Sequence, residues 1–342
     1  RRLVRKLGFR ILDHINRAAV VAPSHLAATV LLSHHRRGIS YQRFQEQVGF
    51  LIDYASERGH ILAPDIERAL KAAIPDLLKA REEETVRVNS RSPDVARGKA
   101  VEHLMNPVLE EFEAAQAMKV ASFPESKVLQ VVPQARTLLN SYRNSIIHVF
   151  QRESIVAASI LYGNTAGSIT LDGIITDAQF LSRLLKREFI FRTGDIDNAI
   201  IAALRTLENH NIIRRDDDGS IILNPETVDR LHLLRNMITP LLESYLLAVR
   251  CLNELQAGGI RRKEFIRQAL HRGQVDYAEG RITCSEAVSS VGIENALELL
   301  REMGAITVEK SGGLVKPATL AGGGTSNPVR LQREIEKFLL VG

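Results

Sequence analysis

Tryptophan is absent from this chain of 342 residues, aromatic residues make up only 5%, and cysteine occurs twice. The core must therefore be mainly aliphatic. Cys251 and Cys284 show no metal-type spacing, which favours a reducing, cytosolic compartment. No apolar run reaches the roughly 18 residues that a membrane-spanning helix requires, and no secretory signal pattern is found. There is also no starting methionine and the chain opens inside a helical pattern, so we expect a preceding part to be missing.

Positive charge is concentrated in the first twenty residues. They carry a net charge of +5, which equals that of the whole chain, so the remainder is balanced. Leu3, Leu7, Ile11 and Ile15 recur every four residues, which predicts an amphipathic helix. One interpretation is a docking helix whose apolar stripe packs on the body of the protein. The other is contact with an anionic membrane surface through a basic set of residues. That set is Arg1, Arg2, Arg5, Lys6 and Arg10.

Most of the chain has apolar residues at helical spacing, and a weak repeat underlies this pattern. Each copy has an apolar helix, a Gly-Ile motif followed by Phe, and a further helix. After the second and third copies, residues 212–223 and 305–316 form hairpin patterns around glycine turns. Helix, turn, helix, helix and hairpin is the order of a winged helix, and copy 1 shows no clear hairpin. The motifs begin at Gly38 in copy 1, Gly173 in copy 2 and Gly259 in copy 3.

We therefore predict a mainly α fold, a helical bundle-like region with repeated winged-helix-like units and small β-hairpins. Asp65 and Asp195 are predicted N-caps of the last helix in copies 1 and 2. The predicted divisions are residues 1–85, helical with a partial unit; 86–127, a charged linker and helix; 128–235, helical with a unit and hairpin; 236–320, a second full unit; and 321–342, a glycine-rich break and a C-terminal helix.

Three strings point to a family. They are Tyr142-Arg143-Asn144-x-x-x-His148, the stretch from Arg10 to Ala19, and Leu184-Leu185-Lys186-Arg187-Glu188-Phe189. Together they resemble the region downstream of the catalytic domain in the large bacterial glycerol-3-phosphate acyltransferases. The resemblance extends over residues 1 to about 190, with only general character beyond. The related dihydroxyacetone-phosphate acyltransferases share part of this region and stay open as an alternative.

The resemblance implies that the full protein moves a fatty acyl group from acyl-CoA or acyl-carrier protein to the sn-1 hydroxyl of glycerol 3-phosphate. It also implies a peripheral enzyme of phospholipid biosynthesis at the cytoplasmic face of the cell membrane. The catalytic and phosphate-binding blocks of the family lie upstream of the residues seen here. We therefore expect an accessory region without catalytic residues, cofactor or metal, inactive by itself.

The superfamily implied by this resemblance uses a His-x-x-x-x-Asp motif, in which His is a general base that Asp orients. Two pairs here have that spacing, His60 with Asp65 and His271 with Asp276. With ten histidines and an ordinary frequency of Asp, about half a match to this spacing is expected by chance. Both pairs lie in helical stretches without an upstream strand, so we assign neither as catalytic.

The segment from Leu138 to Phe150 is predicted to be one helix, with its apolar side facing the protein core. Tyr142, Arg143, Asn144 and His148 form a dense polar cluster at one end. We hypothesise that these four residues are an interface to the missing catalytic domain and are partly exposed. The alternative is that they satisfy local helix ends and nearby loops, as most polar side chains do.

A second class of function stays open, a winged-helix protein that binds nucleic acid or another protein. The last helix of copies 2 and 3 would then be the reader, and it should be basic or polar. In both copies it carries a net charge of −2, which opposes contact with phosphates. We therefore predict no nucleic-acid partner. The charged residues are Asp195, Asp197, Arg205 and Glu208 in copy 2, and Glu294, Glu298, Arg301 and Glu302 in copy 3.

Overall fold

The computed structural model describes residues 2–35, 38–72, 92–124, 126–167, 169–190, 196–216, 220–255, 259–308, 313–317 and 327–340. These residues are mainly helical with a few short strands, as the sequence predicts. They form two compact units, residues 1–150 and residues 151–342.

Unit 1 is built around one central helix. The helices are α1 (Arg2–Ala18), α2 (Pro23–Ser33), α3 (Tyr41–Glu57), α4 (residues 64–72), α5 (Ser92–Ala114) and α6 (Arg136–Ile146). The strands are β1 (Val20–Val21), β2 (Ile39–Ser40), β3 (Ile61–Leu62), β4 (Met118–Phe123) and β5 (Ser126–Val131). β1 pairs in parallel with β3, and β2-β5-β4 form an antiparallel sheet. α2 is apolar on all sides and packs against α3, α5 and α6.

Unit 2 also surrounds one helix. The helices are α7 (Gln151–Thr165), α8 (Leu171–Leu184), α9 (Ile196–Asn209), α10 (Val228–Asn253), α11 (Arg262–Ala278), α12 (Ser290–Glu302) and α13 (Pro328–Glu336). The strands are β6 (Ile213–Arg215), β7 (Ile221–Leu223), β8 (Ile260–Arg261), β9 (Ile306–Val308) and β10 (Leu314–Pro317). α10 is buried over most of its length and packs against α7, α11, α12 and α13.

The repeated order of elements is present in all three copies. The short strand before the second helix pairs with the second strand of the hairpin, giving the orders β2-β5-β4 in copy 1 and β8-β10-β9 in copy 3. In copy 2 the hairpin is β6-β7, and the Ile221 amide donates to the Ile169 carbonyl at 3.4 Å, where that short strand would lie. Assignment of these copies to the winged-helix class stays a prediction.

Copy 1 departs from the sequence analysis, which found no clear hairpin there. The hairpin exists as β4–β5, but the 23-residue helix α5 precedes it and moves it far from the copy's other helices in sequence. Of the predicted domain boundaries, 127/128 falls inside β5 and 235/236 falls inside α10. The glycine-rich break at 321–326 lies outside the described residues.

The predicted N-cap at Asp65 is wrong, because α4 begins one residue earlier. Pro64 occupies the start of the helix, where its fixed φ is favourable. The Ile66 amide donates to the Ala63 carbonyl at 3.0 Å, and the Asp65 carboxylate pairs instead with Arg68. The second predicted N-cap, Asp195, lies outside the described residues.

One buried carboxylate ties several elements of unit 2 together. Asp276 of α11 is fully buried and accepts hydrogen bonds from Arg272 Nε at 2.8 Å, Arg281 Nε at 2.7 Å and Arg250 Nη1 at 3.4 Å. Arg250 of α10 also donates to Glu336 Oε1 of α13 at 3.0 Å. Burial opposes ionisation of Asp276, but the hydrogen bonds from Arg272 and Arg281 outweigh it and lower the pKa. α10, α11 and α13 therefore share one charge network.

Asp276→Asn is expected to lower the free energy of unfolding by about 3 kcal/mol, because it leaves three guanidinium groups without their buried counter-charge. Glu264→Gln on the same helix is the matched control, since Glu264 bonds to two exposed neighbours on that helix, Arg267 and Gln268. That control should leave stability close to that of the wild type, because an exposed ion pair contributes little. Urea unfolding of both variants measures the difference, and equal losses would contradict the structural role of Asp276.

Candidate functional site

The segment that carries the Tyr142–His148 string does not form a single helix. α6 ends at Ile146 and a short 3-10 turn follows, from Ile147 to Val149. The run of β-branched residues at this point disfavours a continued helix, which explains the break. The prediction of an inward-facing apolar side is confirmed, because all four of its residues are buried. They are Ile146, Ile147, Val149 and Phe150.

Arg143 does not match the expectation of partial exposure. Its side chain is only 2% exposed and donates a hydrogen bond through Nη2 to Asn140 Oδ1, one turn earlier on α6. A side chain enclosed to this degree cannot reach a partner outside the unit. Arg143 is therefore removed from the predicted interface, whereas Asn144, the next residue, is exposed.

Tyr142 and His148 are half-buried and make contacts within unit 1. The ring of Tyr142 lies 6.2 Å from the ring of His25 and 5.7 Å from that of Phe112, measured between centroids. His148 Nε2 lies 2.9 Å from the carbonyl oxygen of Asn16, near the end of α1. Burial lowers the pKa of His148, and the hydrogen bond to Asn16 partly offsets this. The neutral ring then donates its Nε2–H to that carbonyl, so the string holds the C-terminal end of α1.

The interface hypothesis stays a prediction for Tyr142, Asn144 and His148. Of these three residues, Asn144 is exposed, while Tyr142 and His148 are half-buried. The sequence offered no signal that separates Arg143 from its neighbours, because its burial depends on helices that are distant in the chain.

Neither His-x-x-x-x-Asp pair has a carboxylate positioned to orient its histidine. Asp65 pairs with Arg68, and Asp276 is enclosed by arginines as described above. His60 is half-buried, and its pKa is lowered by burial and then by the nearby charges of His148 and Arg58.

The third family string, from Leu184 to Phe189, joins copy 2 to copy 3. Lys186 Nζ lies 2.7 Å from Glu302 Oε2, at the end of α12, and Arg187 pairs with the same carboxylate. Glu188 Oε1 accepts hydrogen bonds from Tyr245 of α10 and Asn295 of α12, each at 3.0 Å. Burial raises the pKa of Glu188, and these two hydrogen bonds reduce that rise. Sequence analysis identified this string only by its resemblance and predicted none of its partners.

The first helix, α1, presents its apolar stripe to solvent. Leu7, Ile11 and Ile15 are 57%, 51% and 58% exposed, so the stripe is not packed on the described body of the protein. Arg10 is exposed as well. Of the other predicted membrane-contact residues, Arg1 lies outside the described residues, as do the side chains of Arg2, Arg5 and Lys6.

The described ranges hold neither a membrane-spanning helix nor a cluster of metal ligands. No helix there is both long and apolar enough to cross a membrane. In the same part of the chain, no group of three or more His, Cys, Asp or Glu residues is placed to hold a metal ion.

Residues 1–309 match the family described as the glycerol-3-phosphate acyltransferase C-terminal region. The chain belongs to this family. The match confirms the resemblance and extends it well past residue 190, where the strings end. It includes all three copies of the repeat up to the first strand of the last hairpin.

Individual relatives have low sequence identity to this chain, and the three described next share one name. The chain is 24% identical over 255 residues to the glycerol-3-phosphate acyltransferase of Pseudomonas syringae pv. syringae, and 26% over 247 residues to that of Aeromonas hydrophila. It is 22% identical over 253 residues to that of Actinobacillus pleuropneumoniae serotype 3. These matches cover 72%, 71% and 73% of this chain. The chain aligns with only 26% of each relative's length.

Arg143→Ala is expected to lower the free energy of unfolding by about 2–3 kcal/mol, because it empties a buried site and removes a hydrogen bond to Asn140. Asn144→Ala, one residue along the same helix and exposed, should change it by no more than about 0.5 kcal/mol. Urea unfolding of the two variants provides the comparison. A small loss in Arg143→Ala would show that the guanidinium is not a structural part of unit 1.

Glu188 is expected to make stability depend on pH. Its pKa is raised above the ordinary 4.5. The contribution of Glu188 to the free energy of unfolding is therefore complete below pH 4.5 and is lost as the pH rises through the raised pKa. Glu188→Gln stays neutral, so the stability of the wild type relative to this variant should fall as the pH rises above 4.5. Urea unfolding at a series of pH values measures this difference.

Glu302→Gln is the matched control, because hydrogen bonds, first that from Lys186, lower the pKa of Glu302. Its contribution is lost only as the pH falls through the lowered pKa, so the difference from wild type should stay constant above pH 4.5. If both variants follow curves parallel to the wild type, Glu188 does not titrate with a raised pKa.

Proposed function

We propose that this chain is the C-terminal accessory region of a glycerol-3-phosphate 1-O-acyltransferase. The complete enzyme would transfer a fatty acyl group from acyl-CoA or acyl-carrier protein to sn-glycerol 3-phosphate in phospholipid biosynthesis. The observation that supports this is the family match over residues 1–309. A peripheral position at the cytoplasmic face of the cell membrane is part of the same proposal.

The role proposed for the region is support and contact, with the chemistry carried by the rest of the enzyme. The carboxylates of both His-x-x-x-x-Asp pairs are already bonded to arginines, so neither pair has a free orienting group. The described residues instead form two helical units, and in unit 2 side-chain bonds join copy 2 to copy 3. Such an arrangement is suited to holding a neighbouring domain in place.

Within this proposal, the exposed edge of α6 contacts the catalytic domain. Asn144 is exposed there, and Tyr142 and His148 lie beside it with part of their surface open. The inward side of the segment is buried in unit 1, so the outer side is the one left for a partner.

The rival function, nucleic-acid binding by the repeated units, has less support. In α12, Glu298 bonds to Arg262 at 2.6 Å and Glu302 is bonded to Lys186. The acidic residues of this helix are therefore used to join it to neighbouring helices of unit 2. A DNA-reading helix needs the opposite charge on an open face.

The chain by itself is expected to give no acyl transfer to glycerol 3-phosphate above background. The assay supplies acyl-CoA or acyl-carrier protein with the purified chain and follows the acylated product. Turnover that His60→Ala or His271→Ala abolishes would show that the chain carries an active site, and would overturn the accessory role.

In the complete enzyme, Asn144→Ala is expected to lower acyl transfer several-fold without changing the melting temperature of the chain. Ser145→Ala is the matched control, because Ser145 is also exposed on α6 and bonds only to the Ser141 carbonyl, at 3.0 Å. Activity and melting are measured for both variants. Equal activities would remove Asn144 from the interface.

A further inference from the structure

Exposed apolar side chains are concentrated in α1. Large apolar residues with open surfaces are scattered through the described part of the chain, but five of them fall within nine consecutive positions of this helix. Three of the five, Leu7, Ile11 and Ile15, form one continuous stripe along the helix, whereas Phe9 lies on the opposite side. A soluble surface seldom carries such a stripe unless it is a contact site. The five residues are Leu7, Phe9, Ile11, Leu12 and Ile15.

The attachment of α1 to unit 1 leaves this apolar side open. Asp13 and Asn16 are half-buried and lie on a different side of the helix from Leu7, Ile11 and Ile15, given about 100° of rotation per residue. The carbonyl of Asn16 is held by His148. The helix is therefore fixed through its polar side and its C-terminal end, and its apolar stripe points away from that attachment.

The charge around this stripe is positive. Arg10 is exposed, and Arg17 keeps 56% of its side chain exposed while pairing with Asp13 at 2.9 Å. The first twenty residues carry the entire net charge of +5, and the other residues are balanced. A helix with an open apolar stripe in a strongly basic segment matches the interface of an anionic bilayer, where apolar side chains enter the acyl boundary and cations meet lipid phosphates.

We propose that α1 binds an anionic phospholipid surface through the stripe formed by Leu7, Ile11 and Ile15, with Arg10 and its basic neighbours on the headgroups. Two copies of this chain would bring two strongly basic helices together, which charge repulsion disfavours. Duplex DNA would satisfy the basic residues but would leave the apolar stripe in water. An anionic lipid surface satisfies both sides of the helix at once.

His148 is a positioning residue in this arrangement. It bonds to Asn16 from a position 132 residues later in the chain, so the Tyr142–His148 string fixes how α1 leaves unit 1. This inference gives the proposed peripheral location a defined contact surface. It is tested on lipid binding alone, so its failure leaves the proposed acyltransferase role untouched, and the reverse also holds.

The test is flotation of the 342-residue chain with vesicles of phosphatidylcholine alone or mixed with phosphatidylglycerol. The chain should float with the mixed vesicles, weakly with phosphatidylcholine alone, and less as salt increases. Ile15→Glu should weaken binding to the mixed vesicles by about tenfold or more, because a carboxylate replaces an inserted apolar side chain. Arg10→Glu should weaken binding to the mixed vesicles and reduce its salt dependence.

Phe123→Glu is the matched control. Phe123 lies at the end of β4 and is 58% exposed, as Ile15 is, and the substitution makes the same change of charge. It should leave vesicle binding within about twofold of wild type, a change of under 0.5 kcal/mol. Because both residues are exposed, melting temperatures should be unchanged, so that a loss of binding reports on the surface and not on the fold.

Three kinds of outcome would overturn the proposal. One is failure of the vesicle test, seen either as no binding to mixed vesicles or as equal effects of Ile15→Glu and Phe123→Glu. Another is a concentration-dependent dimer in analytical ultracentrifugation that Ile15→Glu dissolves while vesicle binding is absent, which would make the stripe a contact between copies. The third is tight duplex DNA binding lost in Arg10→Glu and kept in Ile15→Glu, without vesicle binding.

Discussion

Both units depend on a helix that must be covered on every side. α2 is buried from Leu26 to Ser33, so α3, α5 and α6 have to surround it. The two hydroxyl residues of this buried stretch remain inside because each bonds to the carbonyl one turn earlier, Thr29 to His25 at 2.7 Å and Ser33 to Thr29 at 2.8 Å. Burial of apolar surface on this scale drives the fold, and the surrounding helices are placed by it.

In unit 2 the central helix uses buried polar groups to secure what covers it. Arg235 of α10 donates to the carbonyls of Phe338 at 3.2 Å and Leu339 at 3.0 Å, which holds the end of the chain after α13. Glu243, further along the same helix, accepts hydrogen bonds from the backbone amides of Thr283 at 2.6 Å and Cys284 at 2.9 Å. A charged group buried in a core destabilises the fold unless all of its hydrogen bonds are made. The segments that bond to Arg235 and Glu243 are therefore held closely in position.

Local sequence patterns were sufficient for most of the helices and for the strands of two hairpins. Apolar spacing at 3–4 residues reports which face is buried, and paired apolar strings around glycine report a tight turn, so the order of helices and strands in copies 2 and 3 was predicted correctly as far as the described residues reach. The hairpin of copy 1 was missed because α5 separates it from its own copy. The burial of Arg143 and the pairing of Glu188 were missed for a related reason, since both depend on residues far away in the chain.

The ties between copies 2 and 3 decide how unit 2 can be divided. If the chain were cut between residues 255 and 259, Glu188 would keep Tyr245 but lose Asn295, and Lys186 would lose Glu302. The same cut would strip α11, α12 and α13 from α10 and leave its apolar surface in water. Although the two copies have the same order of elements, they are expected to unfold as one cooperative body. A deletion that removes either side of this cut is therefore expected to destabilise the other side.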